Sequence, residues 1–355
     1  MPDPANQGLL PVRPEMPYGG RSSAQGSLAL QNEPSGKFRG WREQPLRSWC
    51  NESAERTSAI HSKAYDLPIR CATVAVDGNK GRVGNAGARS DMPQAALGDG
   101  YIHYETHGAG TPVLLVPGLG GVGSYWMPNL PAFAQRHQVV IHDHRGTGES
   151  SRSRIRYSVD QMTNDLLGVM DHLEIEKAHL VGHSTGGAIG QTLAARHPER
   201  LLSLTIYASW TRADPFFRRV FEARRALLVG AGAAAYVRST AIFLYPDWWV
   251  NENIALLEER EKLVIPAFPP AEIVASRIDA IVNFDRTADL PNIRTPTLVI
   301  CAKDDILTPP YFSRELVRAI PGAELVELER GGHCASEANT KAFNDAVLAF
   351  IARYS

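Results

Sequence analysis

The sequence predicts an α/β fold: a mostly parallel, twisted sheet flanked by helices, with a helical insertion late in the sheet. Three observations predict it. Residues 113–117, 137–143 with Val139-Val140-Ile141 at their centre, and 178–181 with Ala178, Leu180 and Val181, have the look of strands covered on both faces. Segments with apolar residues at helical spacing alternate with them, which implies right-handed crossover connections between parallel strands. Between residues 210 and 291 that alternation stops, and the chain reads as helical throughout.

The elements follow in order. Residues 101–107 alternate polar and apolar after a Gly98-Asp99-Gly100 turn, giving an opening hairpin. Residues 113–117 and 137–143 are buried strands, with a short helical segment at 126–134 between them. A helix spans about 158–173, with Met162, Leu166, Leu167 and Met170 on one face. Ala178, Leu180 and Val181 belong to the next strand, and Ala188, Ile189, Leu193 and Ala194 follow at helical spacing. Residues 201–208 make another strand. In the 210–291 stretch, Asp214 before Pro215 signals a helix start, with helix over 219–229, a Gly/Ala-rich turn or helix at 230–236, a segment after Pro246-Asp247 and a helix over 270–282. The sheet resumes at 297–302 and 324–329, and an amphipathic helix closes the chain at 341–352.

This pattern divides the chain into a core at 92–209 and 292–355 and a helical cap at 210–291, inserted before the acid-bearing strand. Ligands of open α/β sheets bind at the strand ends that such a cap would cover. Residues 1–91 hold neither a period of two nor one of 3.6, so they are expected to be disordered and outside the functional unit; the periodic pattern begins close to Met92.

The chemistry centres on Gly182-His183-Ser184-Thr185-Gly186, a Gly-x-Ser-x-Gly stretch where a strand turns sharply into a helix. Glycine at 182 and 186 tolerates close backbone approach and leaves the Ser184 hydroxyl exposed at the strand end. A serine hydroxyl needs a base within hydrogen-bond reach, itself oriented by a third group. His333, in Gly331-Gly332-His333 just past the last strand, is the expected base. Asp304 and Asp305 both follow the strand ending at Ala302; Asp305, four residues before Pro309, is the expected acid. The order Ser, Asp, His fits a sheet whose successive strand ends carry the three groups. Oxyanion donors are expected at the backbone amides of Thr185, after the nucleophile, and Leu119, in the Pro117-Gly118-Leu119-Gly120 loop. His183 and Cys334 read as packing residues. Trp210, Tyr245, Trp248 and Trp249 could line a pocket or pack the cap, and none is assigned.

Gly118-x-Gly120-x-x-Gly123, with Asp143 downstream, also satisfies the letter of a dinucleotide-binding fingerprint. Pro128 and Pro131 argue against the long helix such a loop must open. No cofactor and no metal are expected. A net charge of −1 gives no basic excess for a polyanion, so neither nucleic acid nor membrane is an expected partner; a small-molecule substrate is, and a homodimer is open. The four cysteines, at 50, 71, 301 and 334, have neither disulfide-framework nor zinc spacing, and a cytoplasmic setting fits them.

From about Met92 onward the sequence resembles the α/β-hydrolase superfamily, which implies that fold and the Ser184, Asp305, His333 roles. The superfamily often has His-Gly before the oxyanion residue; Pro117 stands in place of that histidine. Residues 143–148, Asp-His-Arg-Gly-Thr-Gly, resemble the cofactor-free branch of enol-lactonases, C–C bond hydrolases and perhydrolases. Residues 118–126, 243–248 and 331–333 are similar to the aminoacrylate hydrolases of the bacterial pyrimidine-utilisation (Rut) pathway. The resemblance implies a serine hydrolase of a small ester, lactone or C–N bonded substrate. A C–C hydrolase, a perhydrolase or a non-catalytic ligand receptor of the same fold is the alternative.

Overall fold

The computed structural model describes residues 93–355, and the expectations for residues 1–91 and for Met92 lie outside them. The strands β1 (Gln94–Leu97), β2 (Gly100–His107), β3 (Thr111–Val116), β4 (His137–His142), β5 (Ala178–His183), β6 (Leu201–Tyr207), β7 (Thr297–Ala302) and β8 (Glu324–Leu328) form one sheet. Its order is β1-β2-β4-β3-β5-β6-β7-β8. β1 and β2 pair antiparallel around the Gly98-Asp99 turn, β2 joins β4 antiparallel, and every later pairing is parallel.

The helices are α1 (Leu130–Phe133), α2 (Val159–His172), α3 (Thr185–Arg196), α4 (Pro215–Leu244), α5 (Asp247–Glu252), α6 (Ile254–Ala267), α7 (Ala271–Val282), α8 (Pro310–Ala319), α9 (Ala335–Ala338) and α10 (Thr340–Ile351). Alternation along the strands sorts the core into two layers. Leu114, Val116, Leu180 and Leu204 pack with α2 and α3, through Leu166, Ile189 and Leu193. Val113, Leu115, Val181 and Ile300 face the other way, against Phe133 of α1 and Phe343 and Val347 of α10. Both layers exclude water, which explains the continuous apolar runs.

Register fixes where the loops emerge. Val116 pairs with Gly182, so the loop after β3 and the turn after β5 leave adjacent strand ends. Ala302 pairs with Leu328, which does the same for the loops carrying Asp305 and His333. β6 links the two pairs, with Gly182 opposite Ile206 and Tyr207 opposite Ile300.

Helices α4 to α7 lie between β6 and β7. Asp214 caps α4, accepting from Phe217 N at 2.8 Å, with Pro215 in the first turn where its missing N–H is no loss. The Gly/Ala-rich stretch at 230–236, read as a turn or helix, is part of α4, which runs on to Leu244. Only Gly232 departs from helical dihedrals (φ 81°, ψ −178°) and breaks the axis. Among the described helices α4 alone is long and apolar enough, by length and composition, to cross a membrane. Helices α6 and α8 have no counterpart in the sequence reading. The insertion closes on itself at its base: Arg212 bridges Asp285, and Arg286 N donates to Thr211 O at 3.0 Å.

Candidate active site

Ser184 occupies the turn between β5 and α3 with φ 53° and ψ −110°, a conformation that few non-glycine residues adopt. Its surroundings hold it there. Ser184 N donates to Tyr207 O at 2.8 Å, and Ser184 O accepts from Ser209 Oγ at 2.8 Å and Gly187 N at 2.9 Å. The flanking glycines are required by space. A Cβ at Gly182 would lie 2.2 Å from Gly186 O, and one at Gly186 would lie 2.3 Å from Val116 O.

His333 and Asp305 meet in the interior, 1% and 3% exposed. His333 Nδ1 lies 2.9 Å from Asp305 Oδ2. A carboxylate only accepts, so Nδ1 carries the proton and Nε2 presents a lone pair. Besides His333, three donors hold Asp305: its Oδ1 accepts from Leu307 N (2.8 Å) and Thr308 N (2.9 Å), and its Oδ2 accepts from Thr308 Oγ1 (2.8 Å). Thr308, whose hydroxyl stands 3.1 Å from His333 Nδ1, escaped the sequence reading; only the folded loop shows that it supports the carboxylate. Asp304 plays a separate part, accepting from Gly331 N (2.9 Å) and Gly332 N (2.8 Å) and so fixing the loop that carries the histidine.

The structure brings Ser184, Asp305 and His333 to neighbouring loops on one sheet edge. The imidazole–carboxylate bond is formed, whereas no hydrogen bond joins Ser184 Oγ to His333 among the described residues. Tyr207 ties the two sides together, its backbone to Ser184 and its hydroxyl to His333 O at 2.8 Å. His183 Nε2 donates to the same carbonyl at 3.0 Å, and its ring stacks on Tyr125 with centroids 4.6 Å apart. Burial, then His333 nearby, holds the His183 imidazole well below its ordinary pKa, so it stays neutral. Burial likewise pushes the Cys334 thiol well up.

The loop after β3 closes as a turn, Gly121 N donating to Gly118 O at 3.0 Å. A Cβ on Gly118 would stand 3.3 Å from Ser184 Cβ, which places the turn against the serine. Among the described residues no backbone carbonyl accepts from the Leu119 amide. Thr185, first residue of α3, has the orphan N–H of any helix start. Gly123 opens only a four-residue 3₁₀ turn ending at Trp126, and Asp143 is occupied by Gly123 N and Glu149 N, both at 2.8 Å. Neither arrangement is that of a dinucleotide loop. Among the described residues no group of three His, Cys, Asp or Glu side chains is placed to hold a metal ion.

The insertion touches both halves of this site. Leu244 O accepts from Cys334 N at 3.0 Å, and Glu337 accepts from Tyr245 Oη and Arg260 Nη2, each at 2.6 Å. On the other side Arg277 reaches Leu119 O and Arg145 O, both at 3.0 Å. The insertion's aromatics are mostly engaged with one another: Tyr245 stacks on Trp249 at 4.0 Å, Trp210 is enclosed by Phe217 and Phe284, and Arg330 covers Trp248 at 4.5 Å.

Comparison with known proteins agrees with this architecture. Residues 111–340 match the family described as alpha/beta hydrolase fold. The chain is 45% identical over 259 residues to "Putative carbamate hydrolase RutD" of Azorhizobium caulinodans, covering 73% of this chain and 98% of that protein. The protein of the same description from Caulobacter vibrioides (strain NA1000 / CB15N) is 41% identical over 255 residues, covering 70% and 95%. Among solved structures, the enol-lactonase from Burkholderia xenovorans LB400 superposes with a TM-score of 0.68 at 29% identity, covering 73% of this chain and all of that one. On sequence and fold together, the chain belongs to the α/β-hydrolase family and is a hydrolase of the Rut type.

Proposed function

We propose that the chain is a cofactor-independent serine hydrolase of a small carbonyl substrate, with a carbamate C–N bond the best-supported target and small esters or lactones within reach. The observation that carries the reading is the buried His333–Asp305 pair set beside the strained Ser184 turn. The carbamate preference rests on the RutD relatives.

In this reading His333 Nε2 takes the Ser184 proton as Oγ attacks the carbonyl carbon. The charge that develops on the carbonyl oxygen goes to the Leu119 and Thr185 amides. The C–N bond breaks as His333 returns the proton to the leaving amine; water, deprotonated by the same imidazole, then cleaves the acyl-enzyme. Asp305 holds the Nδ1–H tautomer and balances the transient imidazolium. Helices α4 to α7 act as a cap that shapes the pocket over the strand ends, so they set the substrate. Neither nucleic acid nor membrane enters the reading.

The open Ser184–His333 contact favours a second route for carbamates, in which the His333–Asp305 pair deprotonates a water that Ser184 positions. Hydrolysis of p-nitrophenyl acetate, butyrate and octanoate, and of a small carbamate, by the wild-type chain and by Ser184→Ala separates the two. Covalent attack predicts a loss of about 10³-fold or more on every substrate. Retention of most carbamate turnover by Ser184→Ala selects the water route, and turnover of none of them by folded protein refutes both.

A further inference from the structure

Helix α7 turns the stripe Ile273, Val274, Ile278 and Ile281 into the protein, and Arg277 sits in the middle of that stripe, 1% exposed. Helical spacing would put a leucine there. Among the described residues no carboxylate pairs with it: Nη1 donates to Arg145 O and Nη2 to Leu119 O, while Nε has no partner. The Tyr157 ring lies under the guanidinium, 5.8 Å from Cζ. The nearby imidazoles of His142 and His144 are held neutral by burial, reinforced by the Arg277 charge. A buried cation without a counter-ion is less favourable than an apolar side chain of similar volume. Its presence therefore needs a reason in what it holds.

It holds the middle of one turn. In Gly118–Gly121 the central peptide joins Leu119 to Gly120, and rotation of that peptide interconverts the two common turn types. The carbonyls at the two ends of the turn are engaged. Gly118 O accepts from Gly121 N at 3.0 Å, and Gly121 O accepts from His144 N at 2.7 Å and Thr147 Oγ1 at 2.8 Å. The Leu119 carbonyl, on the rotating peptide, is held by Arg277 alone. With Gly118 O directed into the turn, the planar trans peptide directs the Leu119 N–H out of it, on the loop that lies against Ser184.

We infer that Arg277 is the positioning residue of the oxyanion loop: it locks the Leu119–Gly120 peptide from the insertion side and sets a buried positive charge, with no carboxylate in contact, one peptide from the Leu119 amide. The inference rests on the reading of Leu119 as an oxyanion donor. It means that the insertion contributes to the chemical step and not only to substrate choice.

Arg277→Met and Arg277→Lys in the full chain test it, read by kcat and KM for p-nitrophenyl acetate, by the rate of labelling with a fluorophosphonate and by the thermal midpoint. Arg277→Met is expected to lower kcat and labelling about 10²-fold with KM within about threefold, because preorganised charge acts on the transition state and not on substrate binding. Its thermal midpoint sets the removal of a buried charge against two carbonyls, Arg145 O and Leu119 O, left without a donor, and serves to establish that the variant is folded. Arg277→Lys keeps the charge but reaches one carbonyl, so a loss of about tenfold is expected. A folded Arg277→Met with kcat within threefold of wild type overturns the inference. If Arg277→Met does not fold, Arg277→Lys decides: unchanged kcat, or a rise in KM without loss of kcat, overturns it. Ser184→Ala run beside them tells this failure from failure of the serine reading, because Ser184-independent turnover removes the oxyanion role whatever Arg277 does.

Discussion

Replacing Asp305 by Asn tests the acid assignment at one atom. The Asn Oδ1 can still accept from Leu307 N and Thr308 N, so the loop keeps its shape. The amide NH₂ then stands where Oδ2 stood, 2.9 Å from His333 Nδ1. A donor now faces a donor. The imidazole relieves the conflict by moving its proton to Nε2, and the lone pair needed to deprotonate Ser184 is gone. The lost term is the attraction between an imidazolium and a carboxylate 2.9 Å apart, about 6 kcal/mol at the effective dielectric of 20 suited to protein sites. At 1.36 kcal/mol per factor of ten this corresponds to a loss of about 10⁴-fold in kcat. The assay is p-nitrophenyl acetate hydrolysis under saturating substrate, with circular dichroism to establish that the fold is intact. Asp304→Asn serves as the comparison; the Asn Oδ1 can still accept from Gly331 N and Gly332 N, so the histidine loop stays in place and the loss should be no more than about tenfold. A folded Asp305→Asn within tenfold of wild type refutes the reasoning, and a larger loss in Asp304→Asn transfers the acid role to Asp304.

Three further outcomes are expected. Leu119→Pro removes the proposed oxyanion donor while placing proline at the second turn position, where its fixed φ is favoured, so kcat should fall about 10²- to 10³-fold with little change in thermal midpoint; near-normal kcat would assign the donor elsewhere. Burial holds the His142 imidazole down at about 4 against an ordinary 6.5. The unfolded chain therefore binds a proton that the folded chain refuses, and stability declines as pH falls from about 6.5 toward 4, by about 3 kcal/mol in all. Thermal midpoints measured across that range should drop, and His142→Gln should flatten the drop; an unchanged slope in the variant would exonerate His142. Removal of residues 1–91 should leave turnover and thermal midpoint nearly unaltered, because the relatives align over 259 residues that make up 98% of the Azorhizobium protein; a large loss of either would place those residues in the functional unit.

The legible parts of the fold were those with a one-sided physical cause. Strands β3, β4, β5 and β7 are covered on both faces, so β3 and β7 are mostly apolar and β4 and β5 carry an apolar centre, which announces them. The Ser184 turn was legible because two glycines are forced by sub-3 Å contacts. Helix α6 was not, because Leu256, Leu263 and Val264 are exposed on it and Pro266 lies within it, which blurs any amphipathic stripe. Over 230–236 the sequence left turn and helix both open, and the structure holds both: helix on either side, buried through Phe217, Phe221 and Leu228 before and Tyr236 after, with a break at Gly232. At the candidate site, motif and strand order pointed to Ser184, Asp305 and His333, which the structure brings to neighbouring loops with His333 bonded to Asp305. Thr308 and Arg277 could not. A hydroxyl in a loop and a charge among isoleucines acquire their roles only from partners 25 and 158 residues away in sequence.

The closed base of the insertion bears on how such a protein could be re-engineered. Arg212, Thr211, Asp285 and Arg286 zip the two ends together beside the sheet, so a foreign segment of different size could be spliced at this neck without disturbing β6 or β7. Splicing would nonetheless discard Leu244 and Arg277, which grip the backbone at Cys334 and Leu119. If Arg277 positions the Leu119 loop as inferred, a chimera made at the neck would fold and remain sluggish. Transplants that carry these two anchor points with them, and vary only the residues between, offer the route to new substrates with the rate preserved.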